Sequence, residues 1–199
     1  MVIPKQTNCF IYIDFCKTID ECKEVRVVFC DISKAFDRVW HRGLIHKLFQ
    51  IGIRDDLLTW FKNYLTNRQQ RVVLHNTNSD WKSLSAGVPQ GSILGPLLFL
   101  IYINDIVNDI SSEIRLFADD TSLYIIVDNP VASAAAINGD LRLIHAWSKT
   151  WLVDFNPTKT ESLIISRKNI KPFHPDVSMN NVVIKKCRHP QTSWSIVFK

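Results

Sequence analysis

A chain of 199 residues with 46% hydrophobic composition can bury one substantial core, which argues against a disordered segment, since those lack the apolar surface to offset ordering entropy. Its formal charge of +5, from 24 Lys and Arg against 19 Asp and Glu, is compatible with a polyanionic partner and too small to require one. No run reaches the roughly 20 apolar residues of a bilayer span, and no basic-then-apolar leader opens the sequence, so an intracellular chain, nuclear or cytoplasmic and without a membrane partner, is expected.

In chain order, Phe10 to Phe15 fits helix or strand equally well. Val25 to Phe29, rich in β-branched and aromatic residues, is predicted as a strand that delivers Asp31 at its C-terminal end. A helix is predicted over about Ser33 to Gln50, with Phe36, Val39, Trp40, Leu44, Ile45 and Leu48 on its apolar side and a bend or stop at Gly43 and Gly52. Asp55 and Asp56 open a second helix to Leu65. Arg71 to Leu74 and Trp81 to Ser85 read as two strands around a turn-rich His75 to Asp80. After Gly87-Val-Pro-Gln-Gly91, a helix runs through Leu97, Leu98, Ile101 and Tyr102. Glu113 to Phe117 and Thr121 to Val127 form a hairpin with its turn at Asp119-Asp120. Pro130 starts a helix to Leu152, with Leu141, Ile144, Trp147 and Trp151 on one face. Ser162 to Ile165 and Val182 to Ile184 are strands that complete or extend the sheet. This order suggests a mixed sheet with helices covering one face. The five cysteines, Cys9, Cys16, Cys22, Cys30 and Cys187, are odd in number, lack CxxC pairing and read as free thiols.

Joining a 3'-hydroxyl to an α-phosphate requires stabilising charge on the attacking and leaving oxygens. Two divalent ions perform that task, and hard Mg²⁺ favours carboxylate ligands. Asp31 at a strand end and Asp119 with Asp120 in a hairpin turn supply such ligands if their strands are adjacent. Taken singly, Asp31 is equally a helix cap and Asp119-Asp120 a solvated turn. Asp14, Asp37, Asp105 and Asp109 are further carboxylates without that context, and Asp37 with Arg38 suits a surface ion pair or local polar anchor. In Gly87-Val-Pro-Gln-Gly-Ser-Ile-Leu-Gly-Pro96, glycines permit close backbone approach to a ligand, and Gln90 offers both donor and acceptor. Neither a GxxxxGKS/T nor a GxGxxG phosphate pattern is present.

Four segments together carry a resemblance: Phe29-Cys-Asp-Ile-Ser-Lys-Ala-Phe-Asp-Arg-Val-Trp40, Ala86-Gly-Val-Pro-Gln-Gly-Ser-Ile-Leu-Gly-Pro-Leu-Leu-Phe99, Tyr102-Ile-Asn-Asp105 and Phe117-Ala-Asp-Asp120. The chain resembles the reverse transcriptases of non-LTR retrotransposons, particularly jockey-like mobile elements, over about residues 10 to 168. The resemblance implies an α+β fold: a right-hand polymerase palm with a mixed, largely antiparallel sheet backed by helices, fingers and thumb largely missing. Residues 1–24 would be a remnant of the fingers/palm junction, 25–168 the palm, and 169–199 a truncated or altered palm–thumb connection. It also implies an RNA-directed DNA polymerase. Asp31, Asp119 and Asp120 with the Ile32 carbonyl would hold two Mg²⁺, with Mn²⁺ as substitute. Phe36 would act as the sugar-selecting wall, Gln90 and Gly91 as template and nucleotide positioners, and Lys159 on the pyrophosphate side. Partners would be an RNA template, a DNA primer and deoxynucleoside triphosphates, beside the endonuclease, fingers and thumb of a longer polyprotein.

Departures from the pattern point the other way. Relatives close the palm with a segment like His-Lys-Tyr-Leu-Gly that forms part of the primer grip, and Lys186-Cys-Arg-His-Pro-Gln-Thr-Ser-Trp194 does not supply it. Cys22 stands where relatives commonly place Gly. The competing expectation is therefore a catalytically inactive remnant that binds nucleic acid or serves only a structural role, its tail altered by frameshift, decay or an imperfect gene prediction.

Overall fold

The computed structural model describes residues 17–18, 20–75, 77–117, 120–169 and 172–187. In chain order these form β1 (Glu24–Cys30), α1 (His41–Gln50), α2 (Asp55–Leu65), β2 (Gln69–Gln70), β3 (Val73–Leu74), β4 (Thr77–Asn78), β5 (Lys82–Ser83), α3 (Leu94–Ile103), β6 (Glu113–Phe117), β7 (Asp120–Val127), α4 (Pro130–Trp151), β8 (Glu161–Ile165), β9 (Ser178–Met179), β10 (Val182–Val183) and β11 (Lys185–Cys187). Two compact units result: Lys34–Asp105 with Trp151–Val153, and the remainder.

The remainder is built on a five-stranded sheet of order β11-β8-β1-β7-β6, antiparallel except for the β11 and β8 pair. As the central strand, β1 is buried at every position, its charged residues included. Val25, Val27 and Phe29 pack with Tyr124 and Leu163, each full burial contributing about 1.5–3 kcal/mol. Alternate positions carry Glu24 and Arg26, both buried. Arg26 donates to the Pro175 carbonyl at 2.5 Å, and Glu24 meets Lys168 at 3.3 Å and His174 at 3.5 Å. Helix α4 starts as its sequence dictates, with Asn129 Oδ1 accepting from the amides of Val131 and Ala132 and Pro130 at the first turn. Its buried stripe is Ala134, Ile137, Leu141 and Ile144, while Asp140 accepts the Ser111 and Ser112 amides at 2.9 and 2.8 Å.

In the other unit, α1, α2 and α3 bury Leu44, Leu48, Leu65, Leu98, Phe99 and Tyr102. Lys47, also buried, bonds Asp105 at 2.5 Å and the Tyr102 carbonyl at 2.6 Å, and lies 3.6 Å from the Trp151 ring centroid. Burial pulls its ammonium down to about 8, against the raising effect of Asp105.

The sheet and its helices agree with the expected class, and several boundaries differ. The helix expected from Ser33 begins at His41, because Lys34 sits at φ 51 and only a 3₁₀ turn, Ala35–Asp37, forms before it. Gly43 marks no bend: a Cβ there would lie 2.5 Å from the Trp40 ring, so the glycine makes room for it inside α1. The region around His75 folds as two short pairs, β2 with β5 and β3 with β4, rather than two continuous strands. Val182–Val183 pairs with β9 instead of joining the sheet, and β11 extends it. Cys22 adopts φ 57, a conformation costly for a residue with a Cβ, and this is the physical reason a glycine suits that turn. Cys22, Cys30 and Cys187 are free thiols, burial pushing Cys30 up to about 12; Cys9 and Cys16 lie outside the described residues.

Candidate active site

Asp31 immediately follows β1, and the strand register decides what faces it. Antiparallel pairing of β1 with β7 ends at Cys30 opposite Thr121. Asp31 is the next residue after Cys30 and Asp120 the residue before Thr121, and both are half-buried. Like charges directly opposite on neighbouring strands repel.

On its other side β7 pairs with β6, Phe117 opposite Asp120. Asp120 is therefore the first residue of β7 rather than part of the turn expected at Asp119-Asp120. Asp119 itself lies outside the described residues. Among the described residues no three His, Cys, Asp or Glu side chains gather as a metal cluster.

The segment after Asp31 is clipped in place by the chain that follows α4. Ser33 N–H donates to the Asp154 carbonyl and Asn156 N–H to the Asp31 carbonyl, each at 2.8 Å, around an antiparallel bridge of Ile32 with Phe155. In a bridge of this kind the flanking residues make the bonds, so the amide and carbonyl of Ile32 point away from Phe155. The clip is itself rigid: Asn156 Oδ1 accepts from the Thr158 amide and hydroxyl, and Thr160 Oγ1 donates to the Asn156 carbonyl at 2.9 Å while facing the Asp31 amide at 3.5 Å. Lys159 rides on this turn with its side chain exposed. Nothing in the carboxylate pattern pointed to Asn156 and Thr160; the signals were the family likeness of Phe155-Asn-Pro-Thr-Lys-Thr-Glu161 and, in Asn-Pro-Thr, a composition that favours side-chain-stabilised turns.

Phe36, Gln90 and Gly91 belong to the helical unit. Phe36 is half-buried against Phe99, ring centroids 4.8 Å apart. Val88 and Gly87 amides donate to the carbonyls of Phe36 and Val39 at 2.8 and 2.9 Å, binding the two motif segments together. Gly87 is required twice over: it adopts φ +85, and a Cβ would lie 2.8 Å from the Asp37 carbonyl oxygen. Gln90 donates to Asp37 Oδ1 at 2.6 Å, which makes Asp37 a local polar anchor, one of the two roles expected of it. Gly91 is exposed with φ +79. Ser92 Oγ accepts the Gly95 amide at 3.0 Å at the start of α3, and a Cβ on Gly95 would reach 2.4 Å from the Pro89 carbonyl. Asp105, an open alternative from sequence, is committed to buried Lys47.

Comparison with known proteins bears on this arrangement. A family model described as "Reverse transcriptase (RNA-dependent DNA polymerase)" matches residues 4–189. The "RNA-directed DNA polymerase from mobile element jockey" of Drosophila melanogaster is 31% identical over 182 residues, covering 87% of this chain and 20% of the relative. The "Probable RNA-directed DNA polymerase from transposon BS" of the same organism is 30% identical over 176 residues, covering 84% and 19%. The chain thus spans about a fifth of the length of these relatives. Among solved structures, apo telomerase from Candida tropicalis, truncated from its C-terminal domain, superposes with a TM-score of 0.56 at 12% identity, covering 82% of this chain and 35% of that one; this is a likeness of fold alone.

Proposed function

Because the chain belongs to the reverse transcriptase family, on the jockey-like branch of non-LTR retrotransposons, we propose that its acidic strand end adds deoxynucleotides to a primer 3'-hydroxyl against an RNA template, releasing pyrophosphate. The observation that supports this reading is the β1 and β7 register, whose last pair, Cys30 opposite Thr121, adjoins Asp31 on one strand and Asp120 on the other. Asp31, Asp119, Asp120 and the Ile32 carbonyl form an all-oxygen donor set, suited to Mg²⁺ with Mn²⁺ as substitute. Two such ions, when bound, stabilise the attacking and leaving oxygens of an in-line displacement.

The chain's own residues do the rest by position. The Asn156 clip fixes the backbone that carries the Asp31 carboxylate, so little reorganisation is needed as charge develops. Phe36, braced on Phe99, presents an aromatic wall that collides with a ribose 2'-hydroxyl and admits deoxyribose. Gln90, held by Asp37, and Gly91 position template and nucleotide. Lys159, exposed on its turn, serves the pyrophosphate oxygens. On this reading residues 25–168 make up the palm.

A second reading, binding without turnover, is favoured by the sequence Lys186 to Trp194, which lacks the primer-grip pattern of relatives. Primer extension by this chain, with RNA template, DNA primer, deoxynucleotides and Mg²⁺ or Mn²⁺, separates the two. Extension that disappears in Asp119→Ala supports the polymerase; extension that survives overturns the site. Saturable primer–template binding with no extension selects the second reading.

A further inference from the structure

Arg26 is fully buried in β1, and a guanidinium does not escape burial by losing its proton. Its Nη2 donates to the Pro175 carbonyl at 2.5 Å, while Nε and Nη1, equally buried, meet no hydrogen-bond partner. Among the described residues the one carboxylate whose charge bears on it is Asp176, and that carboxylate is 60% exposed and bonded to Lys186 at 2.6 Å. Glu24, on the same face of β1, is matched instead by Lys168 at 3.3 Å. Its other neighbour, His174 at 3.5 Å, is kept neutral at neutral pH by burial, which outweighs the Glu24 charge. The described cluster therefore sets Arg26, Lys168 and Lys186 against Glu24 and Asp176. One positive charge is in excess, and it is the most deeply buried of the three.

The strand register supplies a further donor. β1 and β8 set Arg26 opposite Ile164 and Val28 opposite Ser162, so Ser162 shares the Arg26 face one pair along, within reach of a long side chain. Ser162 is 1% exposed, and its hydroxyl is also without a partner. From β11, Lys186 pairs with Ser162 and donates to the His174 carbonyl at 2.8 Å. Arg26 and Lys186 thus hold the carbonyls of consecutive residues, Pro175 and His174, and fasten that segment to the sheet. Water satisfies an N–H but does not neutralise a charge, and an unbalanced buried ion costs far more than an unmade hydrogen bond. Donors around an excess cation fit an anion and not a metal, and donors this buried sit beside no open cleft, which limits the ligand to the size of a single ion.

We propose that Arg26 and Ser162 hold a buried monovalent anion of halide size, chloride, which neutralises the guanidinium and locks the 174–176 segment and β11 to the central strand. Turnover plays no part in this, so the polymerase reading stands or falls separately.

The test is urea unfolding of the whole chain near neutral pH, with sodium chloride exchanged stepwise for sodium gluconate at constant ionic strength, gluconate being too large to enter. Wild-type stability is expected to rise with chloride, the unfolding constant falling about tenfold for each tenfold rise in chloride above its dissociation constant. Bromide should substitute for chloride. Arg26→Met, similar in length and uncharged, removes the cation that needs balancing and should unfold at the same urea concentration in chloride and in gluconate. Ser162→Ala, which removes one donor to the ion and keeps the charge, should show the chloride dependence only at about tenfold higher chloride. It carries the test if Arg26→Met does not fold. Lys62→Met, an equal loss of charge at an exposed position, should respond to chloride as the wild type does. Chloride and gluconate acting alike on the wild type would overturn the proposal, as would an Arg26→Met variant whose response to chloride equals that of the wild type.

Discussion

Replacing Gly87 by Ala tests how the two motif segments of the helical unit are held together. At φ +85 a residue with a Cβ is strained by about 1–2 kcal/mol. The added carbon also meets the Asp37 backbone, 2.8 Å from its carbonyl oxygen and 3.0 Å from its Cα. Since backbone cannot rotate aside as a side chain does, overpacking adds about 1–3 kcal/mol. The sum, about 2–5 kcal/mol, is a large share of the about 5–15 kcal/mol of a typical domain. Gly52 supplies the control: its φ is +101, and a Cβ there meets nothing within 4 Å, so Gly52→Ala carries the conformational cost without the contact. Urea unfolding followed by circular dichroism, with m-values compared to exclude a changed unfolded state, should place Gly87→Ala about 1–3 kcal/mol below Gly52→Ala. Equal destabilisation of the two variants would refute the close approach of Gly87 to the 36–39 turn.

Three further outcomes follow from the fold. The Lys47 ammonium lies at about 8 against an ordinary 10.5, so the unfolded chain binds more protons in between. Stability should rise by roughly 3 kcal/mol from pH 8 to 10.5 relative to Lys47→Met; a difference that does not change with pH would count against the buried ammonium. At the acid end, burial and the Arg26 charge hold His174 below its ordinary 6.5, outweighing the Glu24 charge. Burial raises the Glu24 carboxyl, yet bonds from Ser166 and Lys168 and the charges of His174 and Lys168 carry it net below its ordinary 4.5. Both contributions are present at neutral pH and lost on acidification, the His174 part below pH 6.5 and the Glu24 part lower still. His174→Gln should flatten the upper part of that decline in urea titrations; an unchanged profile would assign it to other groups. Finally, relief of the φ 57 strain in Cys22→Gly should raise stability by about 0.5–1 kcal/mol after the entropy cost of glycine is subtracted, and a lower melting temperature would contradict the strain.

How much of this was legible beforehand depended on the kind of interaction. β1 was readable because Val25, Val27, Val28 and Phe29 give it β-branched and aromatic character despite Glu24 and Arg26, and α4 because Asn129, Pro130 and its buried stripe agree. The start of α1 was not, because Phe36 and Val39 keep a helical spacing while Lys34 turns left-handed. Periodicity records which residues are buried and is blind to a single reversed φ. For the site, residue types and order suggested Asp31 and the Asp119-Asp120 pair, but only the register showed that the strands adjoining Asp31 and Asp120 are neighbours, Cys30 opposite Thr121. Asp105 and Asp37 look alike as sequence; pairing across the unit makes one the partner of Lys47 and the other the acceptor of Gln90. The Asn156 clip was hidden for the same reason, since its bonds join positions more than a hundred residues apart along the chain.

The central claim is that Asp31, and not simply any carboxylate of this chain, completes the acidic site with the hairpin. Single-turnover primer extension comparing the wild-type chain, Asp31→Asn and Asp105→Asn under saturating Mg²⁺ tests it most directly. The account expects Asp31→Asn to slow nucleotide addition by about a thousandfold or more, the loss of several kcal/mol of transition-state charge stabilisation. Asp105→Asn should keep the wild-type rate at temperatures where it remains folded. Extension by Asp31→Asn at the wild-type rate, or its loss in Asp105→Asn while that variant is still folded, would contradict the account.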